Sequence, residues 1–160
     1  TACGIAILPI KTSIAGPAPV AGSEDDEDII DEAITFFRAQ SLFKNFEVRG
    51  PADKTLIYLT CFIQKCLEVI SKNTDQAAAT KAIEKLSHED ISAPSKAGFF
   101  MRSLCTDDRG SQKFRDYLKQ CKQETARRLM NILYNPQWGT LDLKFWLGFA
   151  KKKFLKLDFN

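Results

Sequence analysis

The stretch from Pro51 to Lys72 constrains the fold of this chain more than any other. An apolar stripe repeats along it every three to four residues, at Leu56, Leu59, Ile63, Cys66 and Ile70. Much of the remaining circumference is also apolar, through Ile57, Tyr58, Cys61 and Phe62. A helix that is apolar nearly all round lies in the middle of a bundle. A buried strand would fit the short run 56–63, but the spacing continues to Ile70 and favours a central helix over 51–72.

The rest of the chain predicts an all-α fold of about five helices, with the second helix central and surrounded by the others. We expect the first helix to begin between Glu24 and Asp28, with Ser23 as its N-cap. Its inward face is predicted from the 3–4 residue repeat of Ile30, Ala33, Ile34 and Phe37. Thr74 is the predicted cap of a short Ala-rich helix over 75–87.

Two further helices complete the predicted bundle. Ser111 can cap a fourth helix that ends near Tyr134, before Asn135 and Pro136. Its inward residues are predicted to be Phe114, Leu118, Cys121, Thr125, Leu129 and Ile132. Thr140 can cap a fifth helix that runs to the C-terminus. The irregular segment 88–110 is expected to be anchored to the core by Phe99, Phe100, Met101 and Leu104.

A chain of 160 residues fits one domain, and the division we predict is an arm of residues 1–22 and a single helical domain of residues 23–160. The arm holds three Pro and three Gly, which favour an extended conformation. It also holds too many apolar residues for a disordered tail. We therefore expect it to lie in a groove, either on this domain or on a partner.

Charge is distributed unevenly along the chain. Residues 1–32 hold seven acidic residues and one Lys, whereas residues 109–160 hold twelve basic and four acidic residues. Such asymmetry indicates partner surfaces, although solvated helix faces account for many of the charges. The acidic run 24–32 resembles a metal site only superficially, because calcium loops need a different spacing with a central Gly. We interpret this run as a capped, solvated helix start.

The residue types needed for catalysis are sparse. His88 is the only His and lies at a predicted helix end, where a His commonly meets the last carbonyl groups. No glycine-rich phosphate loop is present. Asp116 and Glu124 are too far apart along one helix for an acid–base pair, and Glu124 is better paired with Arg128 four residues on. We therefore predict no enzyme, no catalytic residue, no cofactor and no metal.

The five Cys residues and the apolar runs bear on the compartment. The Cys count is odd, no CxxC pair occurs, and three of the Cys lie in apolar helical patterns, which favours a reducing, intracellular compartment. No signal peptide is recognisable. The longest apolar run, 56–63, is far shorter than the roughly 20 residues that span a bilayer, so we expect no stable membrane insertion.

The predicted last helix carries the candidate binding residues. Leu143, Trp146, Leu147, Ala150, Phe154 and Leu157 form one stripe that is expected to be core. Other aromatic and basic residues project elsewhere, and we predict that they bind a partner: Phe145, Phe149, Lys151, Lys152, Lys153 and Lys156. This surface suits an acidic partner. It would also suit an anionic membrane or a calmodulin-like groove, so a peripheral membrane or calmodulin-responsive adaptor stays open. It suits nucleic acid poorly, because the segment has little Arg and no recognisable binding fold.

Several segments of the chain, in this order, resemble one family. They are Ala6–Ile10 with Gly16–Pro19, the stretch Asp28–Cys66 (DIIDEAITFFRAQSLFKNFEVRGPADKTLIYLTCFIQKC), Arg115–Leu118 with Gln123–Thr125, and Phe145–Trp146 with the lysine-rich tail. Together they are similar to the 21-kDa subunit (subunit three) of the actin-related protein 2/3 complex, from about Cys3 to the C-terminus. The resemblance implies the same all-α architecture and a non-catalytic subunit that supports nucleation of branched actin filaments. It implies contacts with actin-related protein 3, with other subunits of the complex and with the actin filament at the branch. It also implies a cytoplasmic location in the actin cytoskeleton, at the cell cortex and in protrusions.

Overall fold

The computed structural model describes the chain except residues 24, 41–46, 74, 93, 95–98, 106–107, 135–145, 148–158 and 160. The described residues form four longer helices: α1 (Ile29–Gln40), α2 (Pro51–Ser71), α3 (Gln76–His88) and α4 (Ser111–Tyr134). Within these residues the only β-type pairings are two isolated bridges, in the first twenty residues. The all-α fold class is confirmed.

Helix α2 lies at the centre of the bundle, as predicted. It contacts α1, α3 and α4. All five residues of its apolar stripe are buried, and so are the four apolar residues predicted to fill the rest of its circumference. Pro51 occupies its first turn, where a missing backbone N–H costs nothing. Two buried threonines are tolerated because each donates its hydroxyl to a backbone carbonyl, Thr60 to Leu56 and Thr55 to Ala6 of the arm.

Helix α1 begins at Ile29, and its cap is not the predicted Ser23. The Asp31 backbone N–H donates to Asp28 Oδ1 at 2.9 Å, and the Asp28 N–H donates to Asp31 Oδ2 at 3.4 Å. This reciprocal pair satisfies the free N–H groups of the first turn in the manner of a capping box. Ser23 instead accepts the N–H of Asp25 in a local turn before the helix. The predicted inward residues Ile30, Ala33, Ile34 and Phe37 are all buried.

Helices α3 and α4 have nearly the predicted bounds, but their starts differ in detail. Asp75 caps α3 by accepting the Ala78 N–H at 3.1 Å, while the predicted cap, Thr74, lies outside the described residues. Ser111 is the first residue of α4 and not its cap. The Phe114 N–H donates to the carbonyl of Gly110, whose φ of 77° favours glycine. Five of the six predicted inward residues of α4 are buried, and Ile132 is half-buried.

Aromatic residues from the loop before α4 close one end of the core. Phe99 and Met101 are buried, and Phe100 and Leu104 pack against the core, which confirms their role as anchors. Phe100 and Phe159 lie with ring centroids 4.9 Å apart, and both rings contact Tyr58 of α2. Of the predicted fifth helix, Trp146 and Leu147 are described and helical; Trp146 is buried and stacks on Phe37 at 5.6 Å. The remainder of that helix lies outside the described residues.

Candidate functional site

The N-terminal arm lies on the domain itself, where polar side chains of α4 bind its backbone. Tyr117 is buried, and its hydroxyl donates to the Leu8 carbonyl and accepts the Leu8 N–H, both at 3.0 Å. Ala2, Cys3, Ile5 and Ile10 are buried in the core. The arm is therefore held by apolar side chains that enter the core and by hydrogen bonds that recognise its main chain.

One turn further along α4, Gln120 holds the next part of the arm at two points. Its Nε2 donates to the Ile14 carbonyl and its Oε1 accepts the Ala18 N–H, both at 2.9 Å. The side chain lies so close to Gly16 that a Cβ there would overlap the Gln120 amide. Gly16 is consequently required by a close approach, and both polar atoms of the buried Gln120 amide have a hydrogen-bond partner in the arm.

Arg128 joins the arm, α1 and α4 in a single ion-pair node. Its Nη1 donates to Asp28 Oδ1 at 2.7 Å and to Asp31 Oδ1 at 2.9 Å. Its Nη2 donates to Asp28 Oδ2 at 2.7 Å and to the Lys11 carbonyl at 2.6 Å. Its Nε donates to Glu124 Oε1 at 3.0 Å, which confirms the predicted pair four residues apart. The planar guanidinium uses its fork of donors in the way a lysine could not.

The interpretation of the acidic run as a solvated helix start is therefore wrong for Asp28 and incomplete for Asp31. Asp28 is buried, and its carboxylate also accepts the Lys11 N–H at 2.9 Å. The neighbouring Asp25, Asp26 and Glu27 are exposed, as that interpretation expected. The ion-pair partner of buried Asp28 is Arg128, which is 100 residues away in the sequence, so no local sequence pattern reveals it.

The node fixes the ionisation of its members. Burial alone would raise the pKa of Asp28, but hydrogen bonds from Arg128 and from the backbone N–H groups of Asp31 and Lys11 lower it to about 2. Burial likewise opposes ionisation of Glu124, and bonds from Arg127 and Arg128 outweigh it, so its pKa is lowered. Ion pairing also raises the pKa of Arg128 against the effect of burial. All these groups are charged at neutral pH.

A groove with a volume of about 1050 Å³ lies between the arm, α1 and α4. The arm contributes most of residues 10–23, α1 contributes Asp31, Ile34 and Thr35, and α4 contributes Gln120, Glu124, Arg127, Arg128, Asn131 and Ile132. Residues of the Arg128 node thus line the groove. The arm, which is bound to α4, lines its other side.

The residues predicted from the sequence to bind a partner are not placed by the structure. Phe145, Phe149, Lys151, Lys152, Lys153 and Lys156 all lie outside the described residues. Conversely, sequence reasoning missed the polar residues of α4 that bind the arm: Tyr117, Gln120, Glu124 and Arg128. Their spacing of three to four residues was the available signal, because it marks a second, polar stripe beside the apolar one.

Four other titratable side chains, His88, Cys61, Cys121 and Lys122, take part in packing or in hydrogen bonds at a helix end. His88 Nδ1 lies 2.7 Å from the Glu84 carbonyl, at the end of α3, as predicted. Burial raises the pKa of Cys61 and Cys121 to about 12, which leaves these thiols protonated and unreactive. Lys122 is buried and donates to the carbonyls of Leu86 and Glu89, so it closes the C-terminus of α3. Among the described residues no group of three or more His, Cys, Asp and Glu could hold a metal ion.

Hydropathy gives one further observation. None of the helices in the described ranges combines the length and the apolar character needed to cross a membrane.

The described residues thus form an all-helical fold that holds its own N-terminal segment along α4 and leaves a groove beside it. Residues 1–158 match the model of one family, described as P21-Arc, the ARP2/3 complex ARPC3 (21 kDa) subunit. The chain belongs to this family. It is 46% identical over 159 residues to actin-related protein 2/3 complex subunit 3 of Arabidopsis thaliana, covering 98% of this chain and 90% of that protein.

Relatives from distant eukaryotes agree with this assignment. The subunit 3 protein of Schizosaccharomyces pombe is 40% identical over 97% of this chain and 89% of its own length. That of Saccharomyces cerevisiae is 35% identical over 94% of this chain and 86% of its own length. The sequence-based family assignment is confirmed. Neither the family nor these relatives support the peripheral membrane or calmodulin-responsive alternative.

Proposed function

We propose that this chain is a structural subunit of the actin-related protein 2/3 complex and supports nucleation of branched actin filaments through contacts with other subunits. The observation that carries this is the family match over residues 1–158, together with relatives that share the same name over nearly their whole length. The arrangement of the described residues agrees with a structural role, because the buried side chains of Tyr117, Gln120 and Lys122 hold the arm and the end of α3. We further propose that the subunit is non-catalytic and acts in the actin cytoskeleton, at the cortex and in protrusions.

Within the complex, the partners we propose are actin-related protein 3 and, at the branch, the actin filament. These two partners are what the resemblance to the family implies. The basic C-terminal segment supports them, because Lys151, Lys152, Lys153 and Lys156 fall within six positions. Such a cluster repels itself unless an acidic surface faces part of it. Phe145 and Phe149 precede the cluster and can supply the apolar centre of the contact. We also propose that residues 1–22 act as an arm on a single domain of residues 23–160.

A double charge reversal tests the lysine surface. Lys152→Glu with Lys156→Glu should weaken assembly of the complex or its branching activity, because two attractive charges become repulsive ones. Branching is measured with purified complex by counting branches in fluorescence images of actin filaments. The matched control is Lys81→Glu with Lys85→Glu, which makes the same change of charge at the same spacing on the exposed face of α3.

The expected result is a loss of assembly or branching for the Lys152 and Lys156 variant, near-wild-type behaviour for the control, and little change in the melting temperature of either. Added salt should weaken the wild-type interaction in the same direction. If the Lys152 and Lys156 variant assembles and branches as well as the Lys81 and Lys85 control and the wild type, these lysines are solvated surface charges and not a binding surface. Failure of the wild-type chain to assemble with any other subunit would contradict the proposed function itself.

A further inference from the structure

Ser13 is an exposed serine in the part of the arm that lines the groove. It lies in a surface loop, two positions after Lys11. The hydroxyl of the neighbouring Thr12 is occupied, because it accepts the Ile14 N–H at 3.0 Å. The Ser13 hydroxyl is therefore the accessible one of the two, and an accessible serine in a loop can accept a phosphoryl group.

The backbone on both sides of Ser13 is bound to α4. The Lys11 carbonyl accepts from Arg128 Nη2 at 2.6 Å, and the Ile14 carbonyl accepts from Gln120 Nε2 at 2.9 Å. Ser13 is thus only two residues from a contact with Arg128, which is at most about 7 Å along the chain. A group attached to Ser13 is consequently kept beside α4.

Arg127 has donors that the folded chain does not use. It is next to Arg128 in the sequence and lines the same groove as Ser13. Its Nε and Nη2 bind Glu124 at 2.9 Å and 2.7 Å, and its side chain is 63% exposed. Among the described residues no acceptor engages its Nη1. An exposed guanidinium with free N–H groups is well suited to bind the oxygens of a phosphate.

The charges along the groove favour an anionic group. The described lining holds three cations and two carboxylates, namely Lys11, Arg127, Arg128, Asp31 and Glu124. Both carboxylates are already paired, Asp31 with Arg128 and Glu124 with both arginines. The lining therefore has one net positive charge. A phosphate, with a charge of about −1.5 to −2 at neutral pH, would make the groove negative.

We propose that Ser13 is a phosphorylation site and that its phosphate binds Arg127, which ties the arm to α4 and reverses the charge of the groove. A serine/threonine protein kinase transfers the γ-phosphoryl group of ATP to Ser13 Oγ. A bond forms between Oγ and the γ-phosphorus, and the bond from that phosphorus to the bridging oxygen breaks. ADP leaves and the hydroxyl proton is released. Such a site is independent of the proposed structural function.

Ser23 provides a matched control at the other end of the same loop. It is also exposed and lines the groove, but its neighbours Asp25, Asp26 and Glu27 are exposed carboxylates. Its hydroxyl accepts the Asp25 N–H at 3.2 Å. Like charges disfavour the doubly ionised form of a phosphate and raise its pKa. Ser13 and Ser23 therefore differ in their electrostatic surroundings and not in their exposure.

Phosphorus NMR of the full-length chain measures the surroundings of each phosphate. Phosphoserine is installed at position 13 or at position 23 by expansion of the genetic code. The second pKa of phosphoserine is about 6, and pairing with a guanidinium lowers it. We expect the phosphate at position 13 to have a pKa at least about half a unit below that of the phosphate at position 23. Arg127→Met should remove most of this difference by raising the pKa at position 13.

Thermal denaturation tests whether the phosphate ties the arm to α4. Phosphate at position 13 should raise the melting temperature by about 2–4 °C, which corresponds to one additional charge-assisted contact in a chain of this size. The increase should be lost in Arg127→Met, and phosphate at position 23 should give no increase.

Modification in the cell is tested on the full-length chain, purified from its own cells after treatment with an inhibitor of serine/threonine phosphatases. Peptide mass spectrometry should locate phosphate on Ser13, and the signal should be absent from cells that carry Ser13→Ala.

No phosphate on Ser13 after phosphatase inhibition would overturn this inference. Equal pKa values of the two phosphates, with no response to Arg127→Met, would overturn it as well. Both results would leave the proposed function intact, whereas failure of the wild-type chain to assemble with other subunits would contradict the proposed function alone.

Discussion

Arg128→Met removes the cation at the centre of the node while keeping a side chain of similar length. It leaves three carboxylates without their shared partner, and two of them, Asp28 and Glu124, have side chains that are only 3% and 1% exposed. Breaking a buried ion pair from one side costs about 3–5 kcal/mol, because the remaining charge is left uncompensated. For a chain of this size the melting temperature should fall by about 6–20 °C.

The neighbouring Arg127 supplies a matched control on the same helix. It also binds Glu124, at 2.7 Å and 2.9 Å, but its own side chain is 63% exposed. Pairs in which one partner is solvated contribute about 1 kcal/mol or less. Arg127→Met should therefore lower the free energy of unfolding by no more than that, although the chemical change is identical.

At acid pH the free energies of unfolding of wild type and Arg128→Met should become more similar. In the folded wild type the pKa of Asp28 is lowered from 3.8 to about 2, so its stabilisation is present above pH 3.8 and is lost as the pH falls towards 2. That contribution is about 2 kcal/mol at neutral pH, and about 1 kcal/mol of it disappears by pH 3. Glu124, whose pKa is also lowered by its bonds to Arg127 and Arg128, contributes in the same direction.

The assays are thermal denaturation at pH 7 and urea denaturation at pH 7, 5 and 3, both followed by circular dichroism, for wild type and both variants. We expect a large deficit for Arg128→Met at pH 7 and pH 5 that shrinks at pH 3. A melting temperature within about 2 °C of Arg127→Met, or a deficit that does not change with pH, would refute the node as the link between the arm, α1 and α4.

The remaining predictions concern the core and the end of α3. Leu59→Ala or Ile63→Ala should destabilise by about 2–5 kcal/mol, because both side chains are fully buried in α2; melting within a degree or two of wild type would show that α2 is not central. Burial lowers the pKa of Lys122 from 10.5 to about 8, so between these values the unfolded chain binds a proton that the folded chain does not. Wild type should therefore gain about 3 kcal/mol relative to Lys122→Met between pH 7 and pH 10.5, and a pH-independent difference between the two in denaturant titrations would contradict this.

The sequence predicts the helices well because their signal is local. The apolar repeat of α2 continues over about four turns, from Leu56 to Ile70. A helix surrounded by others must be apolar on every side, so the central position of α2 follows from its own residues. The same reasoning places the inward faces of α1 and α4 and the aromatic anchors before α4. The caps of these helices differ from the predicted ones: Asp28 caps α1 five residues after Ser23, and Gly110 accepts the first N–H of α4 one residue before Ser111.

The arm and its groove could not be predicted in the same way. Tyr117 and Leu8 are 109 residues apart, and Gln120 and Ile14 are 106 residues apart. The sequence alone predicts that a polar residue on a helix is solvated, because it does not reveal a distant partner. The prediction that Asp28 is solvated is wrong for this reason. The polar stripe of α4 can be recognised as a binding surface only together with the arm, because the arm's backbone groups need hydrogen-bond partners.

Assembly state tests the central claim most directly. The full-length chain, tagged at low copy in its own cells, is purified under mild conditions, sized by gel filtration and its companions identified by mass spectrometry. We predict that it elutes in a complex many times its own mass of 18.0 kDa, together with actin-related proteins. Elution of the chain alone, at about its own mass and without actin-related proteins, would contradict the account.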